Sequence, residues 1–359
     1  MPFIALLCAL ALLITIINAL SMRVVKPKIR NSIDEEVAVL LPMRNEEENV
    51  VASLTSVLGS QGITHISIKV LDDSSADKTA SLAKSLPGIE VITGKELPEG
   101  WLGKNFACHQ LAESTSANYL VFLDADVRIA PTAINAAITR MNNLRWDFIS
   151  PYPRQIAVSF LERLMQPLLQ WSWISSVPLR LAEKLPFRSM VVANGQFFIV
   201  RRSAYLASGG HAAIKSEVLD DLELARSLHK NKFSGGVAEA SAVSECRMYK
   251  KDRDLIAGYT KSLWAAFGGL GGSIFVSVLF FVTGILPFIF ALAGNKWAWG
   301  CYLLLTLSRL VSAARTRSTF SSVFLHPLSM FALIVLIAKS WHGKSHGTLL
   351  WRGRNVVGS

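Results

Sequence analysis

Apolar residues are spread along this chain in two regimes. Residues 3–20 form an uncharged apolar run long enough to cross a bilayer as a helix, and two more uncharged runs occupy 262–295 and 318–338. A weaker run, 297–314, is interrupted by Arg309. In between, residues 31–260 alternate short apolar segments with stretches of helical period. The segment 37–41 (VAVLL) predicts a buried strand, and PMRNEEENV opens a helix reaching residue 58. The segment 66–71 (ISIKVL) predicts a second strand, ending in DDSSADKT, with Asp77, Lys78 and Thr79 early in the next helix. Further strands are expected at 89–93 and at 119–123 (YLVFL), with a helix at 104–114 between them. Pro131 then opens another helix at its first turn, where proline is tolerated. Strands alternating with helices imply an α/β fold: a mainly parallel sheet with helices on both faces.

In such sheets ligands bind beyond the carboxyl ends of the strands. The polar clusters Arg44-Asn45-Glu46, Asp72-Asp73 and Asp124-Ala125-Asp126 all fall there. Asp124 and Asp126, two apart on an extended segment, point to one side. Paired carboxylates repel, and a hard divalent cation, Mg²⁺ or Mn²⁺, resolves the repulsion. Such a cation clamps a diphosphate leaving group; the plainer alternative is a solvated loop. Asp72 and Asp73 suit hydrogen bonds from a nucleobase or ribose, with Asp73 favoured, or they belong to a capped helix start. The run from Glu217 to Glu223 holds Asp220 and Asp221 ahead of an apolar-periodic helix. One of its acids is a candidate general base for an acceptor hydroxyl, against the alternative of acidic capping. Asn194-Gly195-Gln196 lies between MVVA and FFIV, both read as strands, and Gly195 admits close approach of a sugar. His211 follows a glycine-stopped helix and is placed for a phosphate or an acceptor, although loop histidines are commonly incidental. Lys261 and Trp264 precede the second apolar run as donor- and acceptor-covering candidates, or as interfacial anchors.

Composition changes the picture in two ways. The chain has 359 residues, of which 51% are hydrophobic and 18% charged, and a mean hydropathy of +0.36, too apolar for a wholly soluble enzyme. The net charge of +11 does not come with any nucleic-acid module. Basic residues flank the apolar runs instead: Arg23, Lys26, Lys28 and Arg30, then Arg315 and Arg317, then Lys339, Lys344, Arg352 and Arg354. That pattern fits anionic lipid headgroups. No basic residue precedes residues 3–20 and no cleavage site follows, so residues 1–22 read as a signal anchor with the domain 31–260 in the cytoplasm. Residues 262–340 then form a membrane region of two or three segments, and 341–359 a basic juxtamembrane tail. Four spans would place that tail outside, against the positive-inside tendency. The run broken by His326-Pro327 is therefore read as re-entrant or interfacial, or else 297–314 does not span. The four cysteines show no CxxC spacing, so no disulfide framework or zinc site is indicated.

Together these motifs resemble the family-two glycosyltransferases with the GT-A nucleotide-sugar-binding fold. PMRNEEENV resembles the family's first-strand nucleotide loop, which implicates Pro42, Arg44, Asn45 and Glu46. VLDDSSADKT resembles its second acidic loop, implicating Asp72 and Asp73 in the uridine contact, and FLDAD matches the DxD that implies metal ligation by Asp124 and Asp126. The later acidic pair falls on Asp220 and Asp221, making Asp221 the implied catalytic base; the family's usual first residue there is Glu, and here it is Asp. The segments ELPEGWLGKNFACHQLA, CRMYKK, GYTKSLW, HPLSMF and WRGR resemble, over nearly the whole chain, the carotenoid-acid (diaponeurosporenoate-type) and hopanoid-associated glycosyltransferases. That likeness implies a UDP-sugar donor, a membrane lipid or isoprenoid acceptor such as a carotenoid acid, and Trp101, Gly103 and Lys104 near the diphosphate or sugar. The Q-x-x-R-W signature of cellulose and chitin synthases is absent, which favours a single inverting transfer over a polymer. The alternatives are a polyprenyl-phosphate sugar synthase and a non-catalytic membrane scaffold with a degenerate transferase domain. The expected location is the plasma membrane, multi-pass, with the catalytic domain cytoplasmic.

Overall fold

The structure is a computed structural model that describes residues 1–185, 187–351 and 354–355. The chain divides into two compact units. A sheet unit comprises Arg23–Arg154 and Leu185–Arg247; a helical unit comprises Met1–Met22, Gln155–Lys184 and the described residues from Met248. The sequence pattern assigns 31–260 to one domain, but 155–184 and 248–260 pack with the helical unit. Their apolar faces have the same period as any core helix, and period does not name a partner. Of the terminal WRGR, Arg352 and Gly353 lie outside the described residues.

Helix α1 (Pro2–Ser21) comes first, followed by β1 (Val37–Met43), α2 (Val50–Leu58), β2 (Ile66–Asp72), α3 (Thr79–Lys84), β3 (Ile89–Thr93) and α4 (Gly103–Glu113). Then come β4 (Tyr119–Leu123), β5 (Val127–Ile129), α5 (Ala133–Asn143), β6 (Phe148–Tyr152) and the two-residue β7 (Arg154–Gln155). After α6 (Phe160–Ser176) and α7 (Leu179–Ala182), the chain continues with β8 (Phe197–Arg201), α8 (Arg202–Ala207), α9 (Asp220–Lys230), β9 (Gly235–Glu239) and β10 (Ser244–Cys246).

Seven strands form the main sheet in the order β3-β2-β1-β4-β8-β6-β9. All neighbours pair in parallel except β8, which runs antiparallel to both β4 and β6. The sheet is therefore mixed and mainly parallel, as the alternation predicts. Ala38, Leu40, Leu120, Phe122, Phe198 and Val200 share one core with Leu111 of α4 and Leu224 and Leu228 of α9. The intervening Val39, Leu41, Val121, Leu123 and Ile199 are equally buried, so the second face is covered too. Because β8 is reversed, its amino end, not its carboxyl end, lies at the rim where β1, β2 and β4 terminate. That reversal brings residues 194–196 to the ligand-binding edge. The MVVA segment ahead of them is not a strand. There the Ser150 hydroxyl accepts from Asn194 N–H (2.8 Å) and lies 3.1 Å from its carbonyl, holding the chain by a side chain instead of a ladder.

The helical unit adds α10 (Asp252–Ala266), α11 (Leu270–Phe280), α12 (Leu286–Leu292), α13 (Lys296–Thr316) and α14 (His326–Ser345). Among the described residues three helices are long and apolar enough to cross a membrane: Pro2–Ser21, Leu270–Leu292 and Val323–Ser345. Helices α1 and α13 run in parallel, stitched by Thr15 and Ser308 (2.7 Å) and by Arg315 Nε donating to the Ala19 carbonyl (2.9 Å). Asn18 donates to the Ile174 and Val177 carbonyls and accepts from Leu179 N–H, which fastens α6 and α7 to α1. Such short polar side chains are the usual interhelical ties in apolar surroundings. Helix α14 starts beside the middle of α13, not beyond its end: the Tyr302 hydroxyl donates to the Phe324 carbonyl (2.8 Å), and Arg309 donates to Ser329 (3.0 Å). Its far end returns to α10, where Ser340 accepts from Trp264 N–H (2.9 Å).

Candidate active site

The site is built on the carboxyl rim of the sheet unit. Pro42, Lys104, Cys108, Phe122, Asp124, Gly195, Phe198, His211, Asp220, Asp221 and Leu224 line one cleft. Lys104, in the first turn of α4, is its electrostatic centre: its ammonium lies 2.9 Å from Asp124 and 3.2 Å from Asp220. Burial opposes the charge on Lys104, but the two carboxylates outweigh that and raise its pKa well above the ordinary value. It stays protonated across any working pH. The Asn105 side-chain amide donates to the carbonyls of Ile214 (2.8 Å) and Glu217 (3.0 Å), so α4 also holds the loop leading into Asp220-Asp221.

Asp221 opens α9. Its carboxylate accepts from Gly195 N–H and Leu222 N–H, both at 2.7 Å. Capping and a chemical role are thus compatible in one side chain. Burial and the neighbouring Asp220 push its pKa up to about 6, against the lowering effect of Lys104 and the two amides. A carboxylate titrating there is basic enough to accept a proton and still ionised at neutral pH. Gly195 fits closely here: a Cβ would sit 3.1 Å from Asp221 Cβ and 3.3 Å from Lys104 Nζ. Asn194 is held by its neighbour Gln196. Its side-chain oxygen accepts from Gln196 N–H (2.7 Å) and builds the turn that presents Gly195.

The second group of residues is an interlocked pair of loops at the ends of β1 and β2. Asn45 adopts a left-handed conformation (φ 53°) and its side chain accepts from Ala76 N–H at 2.8 Å. Glu46 N–H donates to Thr79 Oγ1 (2.8 Å), and Asp77 accepts from Glu47 N–H (3.0 Å) and Thr79 N–H (2.9 Å). Arg44 sits 3.9 Å from the Asp73 carboxylate and donates to the Asp73 carbonyl (2.5 Å). Asp73, the favoured nucleotide contact, is thus engaged by Arg44, whereas the buried Oδ1 of Asp72 has no hydrogen-bond partner. An unmet buried acceptor at a strand end is the better-placed partner for a ligand N–H.

Asp126 completes the rim. Burial, then Asp124, then Glu46 push its pKa up to about 7. The Cys246 thiol, itself driven far up by burial and by Asp126, hydrogen-bonds to it, yet the buried Asp126 Oδ1 has no partner. Two close carboxylates with an orphan oxygen fit a hard divalent cation. Among the described residues no group of three or more His, Cys, Asp or Glu is arranged to hold one. Two aspartates would leave the remaining positions to water and diphosphate oxygens, as Mg²⁺ prefers.

His211 lies in the cleft, but as a buried structural group: its backbone N–H donates to the Tyr205 hydroxyl (3.0 Å), and its Nδ1 meets the same hydroxyl (2.9 Å). Burial lowers its pKa to about 3, so it is neutral in use. Lys261 and Trp264 are not among these residues. They lie on α10 in the helical unit, where the Trp264 ring packs under the Lys344 ammonium (3.7 Å) and Trp264 Nε1 donates to the Lys261 carbonyl. Sequence reasoning passed over Cys108 and Cys246. Cys108 was detectable, being one helical turn from Lys104 on the same face. Cys246 was not, since only β10 pairing antiparallel with β5 brings it to Asp126.

Residues 38–207 match the family model Glycosyl transferase family 2. The chain carries a family 2 glycosyltransferase domain. The 4,4'-diaponeurosporenoate glycosyltransferase of Staphylococcus aureus (strain MRSA252) is 24% identical over 343 residues, covering 92% of this chain and 90% of that protein. Among solved structures, the mannosyltransferase PcManGT from Pyrobaculum calidifontis, in complex with GDP-Man and Mn2+, superimposes with a TM-score of 0.57 at 14% identity, covering 95% of this chain and 99% of that one. This second likeness is one of fold, and it agrees with the GT-A architecture of the glycosyltransferase sheet.

Proposed function

We propose that this glycosyltransferase moves a sugar from a UDP-sugar onto a membrane lipid or isoprenoid acceptor, such as a carotenoid acid, with inversion at the anomeric carbon. The observation that carries the reading is Asp221: a carboxylate with pKa about 6, fixed by two amides, in one cleft with Lys104 and Asp124. Asp72, with Asp73, receives the nucleobase or ribose. The acceptor oxygen forms its bond to the anomeric carbon as the bond to the UDP oxygen breaks, and Asp221 takes the proton of a hydroxyl acceptor. The Lys104 ammonium faces the negative charge that develops on the departing diphosphate. Asp126, with Asp124, would hold a divalent cation, Mg²⁺ or Mn²⁺, which when bound supplies further charge neutralisation there. The acceptor class rests on the diaponeurosporenoate relative and on three helices long and apolar enough to cross a membrane. In this reading they anchor the chain in the plasma membrane with the transferase domain cytoplasmic.

The test uses the full chain in lipid vesicles with Mn²⁺ and radiolabelled UDP-glucose or GDP-mannose. A carotenoid-type acid, an isoprenoid alcohol and a polyprenyl phosphate are the acceptors. Label from the UDP-sugar on the acid or alcohol is the expected result. Label found on polyprenyl phosphate alone, or transferred from GDP-mannose alone, overturns the assignment.

A further inference from the structure

Among the described residues Arg309 is the largest fully buried side chain, 2% exposed, and it sits inside the helical unit. Its guanidinium donates to two serine hydroxyls, Ser329 at 3.0 Å and Ser322 at 3.3 Å. Neither carries charge, and among the described residues no carboxylate pairs with Arg309. A buried, unneutralised guanidinium costs several kcal/mol, and ionisable groups in such apolar helices ordinarily mark a ligand site. A second, independent observation points the same way. His326, 1% exposed, has both ring nitrogens buried with no hydrogen-bond partner. One of them always carries a proton to donate. Its ring is held edge-on by Trp171 (5.1 Å between centroids), whose Nε1 is tied to Ser308 (2.9 Å), the residue next to Arg309.

Three sources of positive potential converge here. The guanidinium is one, an imidazole N–H is the second, and the third is the amino end of α14, a 20-residue helix starting at His326. Pro327 in its first turn has no N–H and the short 3-10 turn Val323–Leu325 runs straight into it, so this end contributes through its dipole and not through a set of free amides. Ser322 and Ser329 frame the fork. The surroundings are apolar: Met330 packs beside His326 at Gly284, and the flanking Phe324 and Leu328 are exposed. An ordinary solvated anion has no reason to enter such a place, whereas an oxyanion on an apolar chain does.

We propose that Arg309, His326 and the amino end of α14 form a binding site for the oxyanion head of a single-chain amphiphile, a long-chain carboxylate or phosphate monoester. Arg309 takes the head through its planar fork, with Ser329 and the His326 N–H completing the ring of donors. The start of α14 beside mid-α13 is then the device that carries the positive end of a helix dipole into the interior of the helical unit. The site does not depend on the Asp221 chemistry.

The experiment measures thermal unfolding and equilibrium binding of the full chain in detergent with oleate, methyl oleate and oleyl phosphate. Oleate or oleyl phosphate should raise the unfolding temperature and bind saturably, and methyl oleate, uncharged, should bind about 10- to 100-fold more weakly. The better of the two anions names the head group. Arg309→Met should lose the anion's advantage over the ester while the apo protein becomes no less stable, because an unpaired buried charge has been removed. Arg309→Lys, keeping the charge without the fork, should bind at least several-fold more weakly than the wild type. Equal binding of oleate, oleyl phosphate and methyl oleate by the wild type overturns the proposal without recourse to any variant. So does retention of the anion's advantage in Arg309→Met.

Discussion

Replacing Asp221 by Asn should disable transfer to a hydroxyl acceptor and remove a pH-dependent cost to the fold. The fold raises this carboxyl from its ordinary 3.8 to about 6, chiefly by burial and by Asp220. The sign follows from linkage. The folded state holds its proton more tightly than the unfolded chain, so stability is gained as pH falls from 6 towards 4. At pH 7, where both states are ionised, the charge costs the fold. A shift of roughly two units corresponds to about 3 kcal/mol at ~1.4 kcal/mol per unit. Asp221 is only part-buried in its cleft, so solvent screening reduces this to about 1–3 kcal/mol. Asn removes the charge but can accept from only one of the Gly195 and Leu222 amides, and the lost hydrogen bond costs about 1–3 kcal/mol at every pH. The difference in melting temperature, variant minus wild type, should therefore fall by several degrees between pH 7 and pH 4, at about 2–4 °C per kcal/mol. With a hydroxyl acceptor its turnover should fall about 10²- to 10⁴-fold. With a carboxylate acceptor, already ionised at neutral pH, it should keep most of its activity. Scanning calorimetry at the two pH values, with labelled-sugar transfer to both acceptors, makes the check. A melting difference that is the same at pH 7 and pH 4 refutes the electrostatic argument.

Other consequences are open to simpler assays. In the wild type, kcat/KM with a hydroxyl acceptor should fall about tenfold per pH unit below pH 6. Because Lys104 lowers the Asp221 pKa, Lys104→Met should move that acid limb to higher pH, and an unmoved limb would falsify the coupling. Asp126→Asn should weaken Mn²⁺ binding measured with UDP by paramagnetic resonance at least about tenfold. In the wild type the affinity should drop as pH falls through about 7, where the proton competes for the carboxylate. Gly195→Ala forces a methyl to within 3.1 Å of Asp221 Cβ, so kcat/KM should fall by at least about tenfold, with a stability loss of only about 1–3 kcal/mol. An Ala variant with full activity would show that the Gly195 turn does not position the base.

What the sequence determined by itself was everything carried by local period and by strand ends. The VAVLL, ISIKVL and YLVFL runs are buried on both faces and so read as continuous apolar strands, and the acids that follow them must emerge at one rim. The apolar runs at both ends were equally legible, since length and absence of charge suffice to mark them. Tertiary structure decided which of these residues meet. Lys104, Asp124 and Asp220 come from α4, the end of β4 and α9, and no spacing along the chain encodes their convergence. The reversed β8, inserted between β4 and β6, delivers Gly195 to Asp221. A strand's apolar pattern is the same in either direction, so its polarity is chosen only by pairing. The same holds for α6, whose amphipathic face fits a sheet or a helix bundle equally well, and for α14, whose start beside Arg309 depends on the chain turning back along α13. Hydrophobic periodicity specifies what must be buried; the partner that buries it is selected only when the whole chain competes for the same interior.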